Sequence, residues 1–415
     1  MEINLANSAF MIMCTTFVFL MTPGLALFYA GMERRKNALN TIMSCFFICA
    51  LGSVLWVAVG YSLSFGADHG GVIGDFSKIF FNGVGAEING DYASTIPETL
   101  FAAYQMMFAV ITPALICGAL AGRMKFSALF VFVAAWSLFV YYPLAHMVWG
   151  VGGFIRELGA VDFAGGNVVH ISSGVSGLVA CLILGRRREY GVVAYKPHNI
   201  PFVVIGAGLL WFGWFGFNGG GALAADGLAV HAILTTNTSA AMGLLSWMLI
   251  EKLLHGRPTV LGAATGAVVG LVAITPGAGF VPIWASFIIG ALVSPLCFLG
   301  VTKLKSKFKY DDALDAFGCH GIGGIWGGIA TGLFTQKSIN SAAQWDGLVF
   351  GDTKLFVAQV LSIVITIVFA VVATFIIMSI IKLVMPIRVT KEEEAQGLDI
   401  VEHGEMAYPS FNGLD

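Results

Sequence analysis

Long apolar runs separated by short polar punctuation dominate this chain. A helix needs about 20 predominantly apolar residues to cross a bilayer. Runs of that kind fall near residues 9–30, 41–65, 99–121, 126–147, 167–185 and 198–217. Others lie near 231–253, 259–275, 280–301, 315–335 and 353–384. The pattern predicts an all-α membrane protein with eleven spanning helices, the eighth and tenth weakest because glycine dilutes them. The first run has no basic stretch before it and ends in Glu33-Arg34-Arg35-Lys36. It reads as a spanning helix rather than a cleaved leader.

Basic residues between the runs orient the chain. With eleven spans, one side collects Arg34, Arg35, Lys36, Arg123, Lys125, Arg186, Arg187, Arg188, Lys196, Lys252 and Arg257. The same side holds Lys303, Lys305, Lys307, Lys309, Lys382, Arg388 and Lys391, which makes eighteen. The other side holds only Lys78, Arg156, Lys337 and Lys354. The basic side is expected to be cytoplasmic. The N-terminus then lies outside and residues 385–415 form a cytoplasmic tail behind a transporter domain spanning 1–384. The longest external segment, 66–98, carries Asp68, Asp75, Glu87, Asp91 and Glu98, enough to concentrate cations mildly or simply to be a solvated loop.

Composition agrees. Of 415 residues, 57% are hydrophobic and 11% charged, against roughly 25% charged in soluble domains. The 52 glycines suit helices that pack closely in lipid. A net charge of −2 argues against a nucleic-acid-binding surface. Seven cysteines lie mostly inside apolar runs without a CxxC, so neither a disulfide framework nor redox chemistry is expected.

Polar groups inside a membrane are where function is sought. Most of the eight histidines sit in loops or near helix ends. His170 and His320 fall within the fifth and tenth runs. Those runs are equivalent members of two five-span halves, about 9–185 and 198–335, followed by the final helix at 353–384. An odd repeat inserts the second half upside down, an inverted-repeat plan with the site between the halves. Ser172, Ser173, Gly174 and Gly177 follow one histidine; Gly318, Gly321, Gly323 and Gly324 surround the other. Small neighbours let two helices approach until the imidazoles meet. A lone histidine in a helix core is normally structural, so spacing alone leaves both readings open. Phe108, Trp149, Trp211, Trp214, Phe215 and Phe217 lie near span ends, as interfacial aromatics commonly do. Trp149 and Phe217 fall at outer ends, where ring faces could hold a small cation.

Several motifs resemble the ammonium transporter (Amt/Mep/Rh) family, most closely its bacterial Amt branch. They are Asp162-Phe-Ala-Gly-Gly-Asn-Val-Val-His170-Ile, Pro23-Gly-Leu-Ala-Leu-Phe28-Tyr29, Trp214-Phe-Gly-Phe217-Asn218, Asp315-Ala-Phe-Gly-Cys-His320-Gly and Gly397-Leu-Asp399-Ile-Val-Glu-His403-Gly404-Glu. The resemblance runs from about Asn7 to Tyr408. It implies a homotrimer in the plasma (inner) membrane, one pore per subunit, carrying ammonium or ammonia, with methylammonium a related candidate. It implies that Phe108 and Trp149 form the outer cation site and that Phe217 gates the pore with Phe108. His170 and His320 would be hydrogen-bonded pore histidines, with Phe28 and Trp214 lining the same pore. Asp162 and Asp315 would shape the site, Asp162 by capping backbone amides. The tail would help dock a PII-type signal protein.

One departure stands at Gly221, where many bacterial relatives carry a serine in the outer site. Without that hydroxyl, a water or a backbone carbonyl would have to accept the substrate's hydrogen bond. No cofactor, metal site or enzymatic chemistry is expected, and no CxxCH or HExxH occurs. The alternatives are an ammonium sensor with little flux and, further off, a haem protein or membrane enzyme using the two histidines. Against the sensor, no output domain follows in these 415 residues.

Overall fold

The computed structural model describes residues 2–408. Met1 and residues 409–415, which fall in the two expected domains, lie outside the described residues. Helices account for most of the chain: α1 (Leu5–Met32), α2 (residues 38–65), α3 (Glu98–Leu120), α4 (residues 126–149), α5 (Gly166–Leu184) and α6 (Ile200–Gly219). They continue as α7 (Gly227–His255), α8 (Val260–Ile274), α9 (Ile283–Phe308), α10 (residues 317–334) and α11 (Lys354–Val384). Two short helices, α12 (Lys391–Gln396) and α13 (Leu398–His403), follow.

Among the described residues, nine helices are long and apolar enough to cross a membrane. The shorter α8 and the glycine-rich α10 fall outside that set, and they are the two runs that glycine weakens in the sequence. Many large apolar side chains on the outer faces are exposed, among them Val357, Val364, Val368 and Phe375 along α11. The chain is a multi-pass membrane protein, and lipid is the solvent for those faces.

Local sequence sets the helix ends. Asn4, Asn199, Asp226 and Thr259 each turn a side-chain oxygen onto a backbone N–H at the start of α1, α6, α7 and α8. Such caps occupy donors that no helical carbonyl reaches. Glycines then set how closely the helices lie. A β-carbon at Gly206 of α6 would come 2.4 Å from the Phe28 amide nitrogen of α1.

Several helices share a feature that composition does not record. Single wide turns with π-helical hydrogen bonding occur at Trp56–Gly60 in α2, Ser137–Tyr141 in α4 and Gly300–Leu304 in α9. The same turn opens α5 at Gly166–Ile171 and α10 at Phe317–Gly321, and each contains a histidine. Wide turns of this kind are frequent at functional sites.

Candidate functional site

The fifth and tenth helices meet through glycine. A β-carbon at Gly174 would lie 2.2 Å from the Gly321 amide nitrogen, and one at Gly324 would lie 3.1 Å from the His170 β-carbon. That contact brings the two imidazoles together. Their Nδ1 atoms are 3.3 Å apart and their rings nearly coplanar in tilt, at 18° with centroids 5.4 Å apart. One Nδ1 must donate and the other accept, which two neutral imidazoles can do. Nε2 of His170 is buried without a hydrogen-bond partner among the described residues.

Aromatic rings wall the space around the histidines. Trp214 stacks on His170 at 5.5 Å and 19°, and Phe217 lies 6.2 Å from the same imidazole. The Trp214 indole N–H donates to Thr275 Oγ1 at 2.8 Å, which fixes the ring plane. Phe28, Trp214, Phe217 and both histidines line a small enclosed space of ≈10 Å³ with Met21, Leu25, Val268 and other aliphatic residues. That volume is about the least that accommodates one water.

Toward the Trp149 end of the bundle, Phe108 and Phe217 close the passage with ring centroids 4.3 Å apart and a tilt of 36°. Beyond them lies a cavity of ≈180 Å³ lined by Phe108, Trp149, Gln105, Tyr104, Phe163 and Gly221, with Asp91 and Arg156 among its other lining residues. Trp149 meets Phe108 edge to face at 6.0 Å. Its indole N–H donates to the Asp162 carbonyl at 2.8 Å, and its own carbonyl accepts from the Arg156 guanidinium at 2.9 Å. Tyr104 holds the other wall by donating its hydroxyl to the Phe217 carbonyl at 2.6 Å. The sequence-expected cation, gate and pore residues therefore form one continuous column from cavity to histidines.

Asp162 lies at the cavity end of this column. Its Oδ1 accepts the N–H groups of Gly165 at 2.8 Å and Gly166 at 2.6 Å, and its Oδ2 accepts that of Asn167 at 2.8 Å. Burial pushes the Asp162 carboxyl above the usual carboxylate range, while the three N–H groups pull the other way. The charge is thus held by the first turn of α5, whose positive end favours it. Asp315 behaves differently. It pairs with Lys305 at 2.6 Å and occupies a left-handed backbone conformation, φ 58°.

Asp312 makes the same kind of contact at α10, and the sequence reading did not single it out. Its oxygens accept from Ala316 at 3.0 Å and Phe317 at 2.8 Å, at the start of α10. A signal was available, because Asp162 precedes His170 by the same eight positions that separate Asp312 from His320. Phe163 was missed as well. A β-carbon at Gly221 would meet its ring at 2.9 Å and its carbonyl oxygen at 3.0 Å. The room beside Gly221 is therefore already filled by Phe163.

At the basic face, the tail lies against the helices. Asp399 Oδ1 accepts the Asn40 N–H at 2.8 Å, His403 Nε2 lies 3.1 Å from Asn40 Nδ2, and Glu402 accepts the Phe126 N–H at 3.0 Å. Buried Arg187 binds Asp311 at 2.8 Å beside Glu33 at 3.4 Å, tying α1 to the segment before α10.

Comparison with known proteins agrees with this arrangement over almost the whole chain. The model of the Ammonium Transporter Family matches residues 9–408. The chain is 53% identical to the ammonium transporter of Bacillus subtilis over 405 residues, covering 98% of this chain and 99% of that one. It is 43% identical to the ammonium transporter Amt1 of Archaeoglobus fulgidus, with 97% and 99% covered. Among solved structures it resembles Saccharomyces cerevisiae Mep2 at a TM-score of 0.87 and 36% identity, covering 94% of this chain and 89% of that one. A structure described as a sensor Amt protein also has a TM-score of 0.87, at 28% identity, with 96% and 98% covered. With the motifs, the helical column and these likenesses in agreement, the chain belongs to the ammonium transporter family.

Proposed function

We propose that this protein carries ammonium across the membrane by binding the cation at the Trp149 cavity and passing ammonia through the histidine-lined pore, its proton either left to water on the cavity side or carried across separately. The observation that carries this reading is the unbroken column of rings leading to the contact between His170 and His320. Phe108 and Trp149 attract the cation, and Gly221 adds no side-chain acceptor of its own. A cation over a ring gains about 0.5–1 kcal/mol when exposed and ~2 or more when desolvated. Phe217 closes the passage below.

Selectivity follows from acid chemistry. A charge at the bilayer centre costs from ~2.5 to above 10 kcal/mol, so a narrow apolar passage rejects any bare cation. Ammonium can shed its proton and continue as a neutral molecule, whereas potassium cannot. His170 and His320 give ammonia hydrogen-bonding partners between Phe28 and Trp214, where the walls otherwise offer only carbon. Asp162 and Asp315 act indirectly, the first by fixing the start of α5 and the Trp149 contact, the second by anchoring the segment before α10 through Lys305.

The same reading extends to the assembly. Eleven helices cross the plasma (inner) membrane as two inverted halves plus a last helix, with the N-terminus and the Trp149 cavity outside. Residues 1–384 form the transporter domain and 385–415 the cytoplasmic tail. The protein works as a homotrimer, and the tail and basic face receive a PII-type regulator. The fold and the glycine contacts between α5 and α10 support the inverted halves, and the basic residues of one face support the orientation.

The test is current on a solid-supported membrane carrying reconstituted protein, with an ammonium pulse and a potassium control, alongside an internal pH dye. Ammonium-dependent current or internal alkalinisation, absent with potassium and lost in the His170→Ala/His320→Ala variant, supports transport. Ammonium binding without either signal would turn the reading into that of a sensor.

A further inference from the structure

A cation stripped of water needs acceptors for its N–H groups as well as ring faces, and the Trp149 cavity has few to offer. Both carboxylate oxygens of Asp162 are engaged by backbone N–H groups. The Tyr104 hydroxyl donates to the Phe217 carbonyl, and the Tyr92 hydroxyl donates to the Phe65 carbonyl while accepting from Val151. Arg156 only donates, and Gly221 brings no side chain.

Asp91 also lines the cavity, but it is exposed to solvent, which leaves Gln105 as the buried side-chain acceptor on this wall. Its Oε1 is buried and has no hydrogen-bond partner among the described residues, and its side chain lines the cavity. Gln105 precedes Phe108 by three positions on α3 and therefore shares its face. Three residues of helix rise about 4.5 Å, which sets the amide one turn nearer the mouth than the Phe108 ring. Rotation about the last side-chain bond exchanges its oxygen and nitrogen, so the oxygen can address the cavity.

We propose that Gln105 is a ligand of the incoming cation, its amide oxygen accepting an N–H of ammonium one helical turn above the Phe108–Phe217 closure. The inference rests on the reading of this cavity as the recruitment site. It names the acceptor that the aromatic walls lack. It also defines the class of ligand: small ammonium ions that keep a free N–H.

The experiment measures half-saturating ammonium from peak current, or from the rate of internal alkalinisation, between pH 5 and 8. It compares the parent protein with Gln105→Leu, Gln105→Glu and Trp149→Leu. Gln105→Leu is expected to raise half-saturation by about 13- to 160-fold, the range of one lost hydrogen bond to a charged group, with maximal rate within about twofold of the parent. Gln105→Glu keeps the length and the acceptor, so it should retain affinity at pH 8 and begin to lose it toward pH 5 as the carboxylate starts to protonate. A purely structural role for Gln105 would not move with pH. An unchanged half-saturation in Gln105→Leu, with Trp149→Leu shifted, overturns the role of Gln105 and leaves the recruitment site standing. If neither variant shifts half-saturation, the recruitment site itself is overturned.

Discussion

Asp162 and Asp312 stand eight residues before His170 and His320, and each places its carboxylate on the first backbone N–H groups of the helix that carries that histidine. Three N–H groups bind Asp162 and two bind Asp312. α5 and α10 thus share a way of starting a helix as well as a histidine.

Asp162→Ala should consequently destabilise the protein more than Asp312→Ala. A lost cap costs about 0.5–2 kcal/mol, and Asp162→Ala frees one more buried N–H than Asp312→Ala. Thermal unfolding of the two variants in detergent checks the order. Asp162→Asn, which keeps one acceptor oxygen, should fall between the parent and Asp162→Ala.

Gly174 faces the Gly321 backbone at a distance that admits no β-carbon. Gly174→Ala must push α5 and α10 apart, and overpacking of this kind costs about 1–3 kcal/mol. Ammonium flux should drop steeply even in protein that still elutes as a folded species. Gly177→Ala is the milder control, because its nearest neighbour would be the Ala119 β-carbon at 3.1 Å. Equal flux in the two variants would separate helix approach from function.

Restoring a hydroxyl at position 221 should fail by itself. Gly221→Ser drives a β-carbon into Phe163, so the single variant should lose stability and ammonium affinity together. Gly221→Ser with Phe163→Leu should recover part of both. Stability and half-saturation of the two single variants and the double variant form a cycle, and contacting residues are expected to depart from additivity by about 0.5–3 kcal/mol.

Near the C-terminal end of α4, His146 Nε2 lies 2.9 Å from Asp68 Oδ1 and its Nδ1 lies 3.0 Å from the Ser64 carbonyl. The hydrogen bond to His146 holds the Asp68 carboxyl below its usual range. A depressed carboxylate stabilises the fold above its unfolded value, about 3.9, and that stabilisation fades as pH falls through the lower folded value. The parent should therefore melt above Asp68→Asn at pH 7, and the two curves should converge below about pH 4. Melting temperature against pH for both proteins checks the sign.

The apolar runs were legible because lipid demands uninterrupted hydrophobic length, and the observed helices begin and end close to them. α8 and α10 were weak in sequence for the reason they are short or diluted in the structure, their glycine content. His170 and His320 were legible as polar residues where none is cheap. The wide turns in α2, α4, α5, α9 and α10 were not, since a shifted backbone hydrogen bond leaves no mark on composition. Gln105 was equally silent: one amide on an otherwise ordinary helix face gains meaning only when its neighbours' hydrogen bonds are counted. Gly221 was noticed as a missing hydroxyl, but sequence could not say that Phe163 fills the space beside it.

The most direct test of deprotonation at an apolar pore is to place an acid there. His170→Asp and His320→Glu, reconstituted on a solid-supported membrane, would be challenged in turn with ammonium and potassium. The account predicts that the parent responds to ammonium alone, by current or by internal alkalinisation, and that an acidic pore residue lets potassium carry current. Continued exclusion of potassium with ammonium transport intact would contradict it, because selectivity would then reside outside the histidine-lined passage.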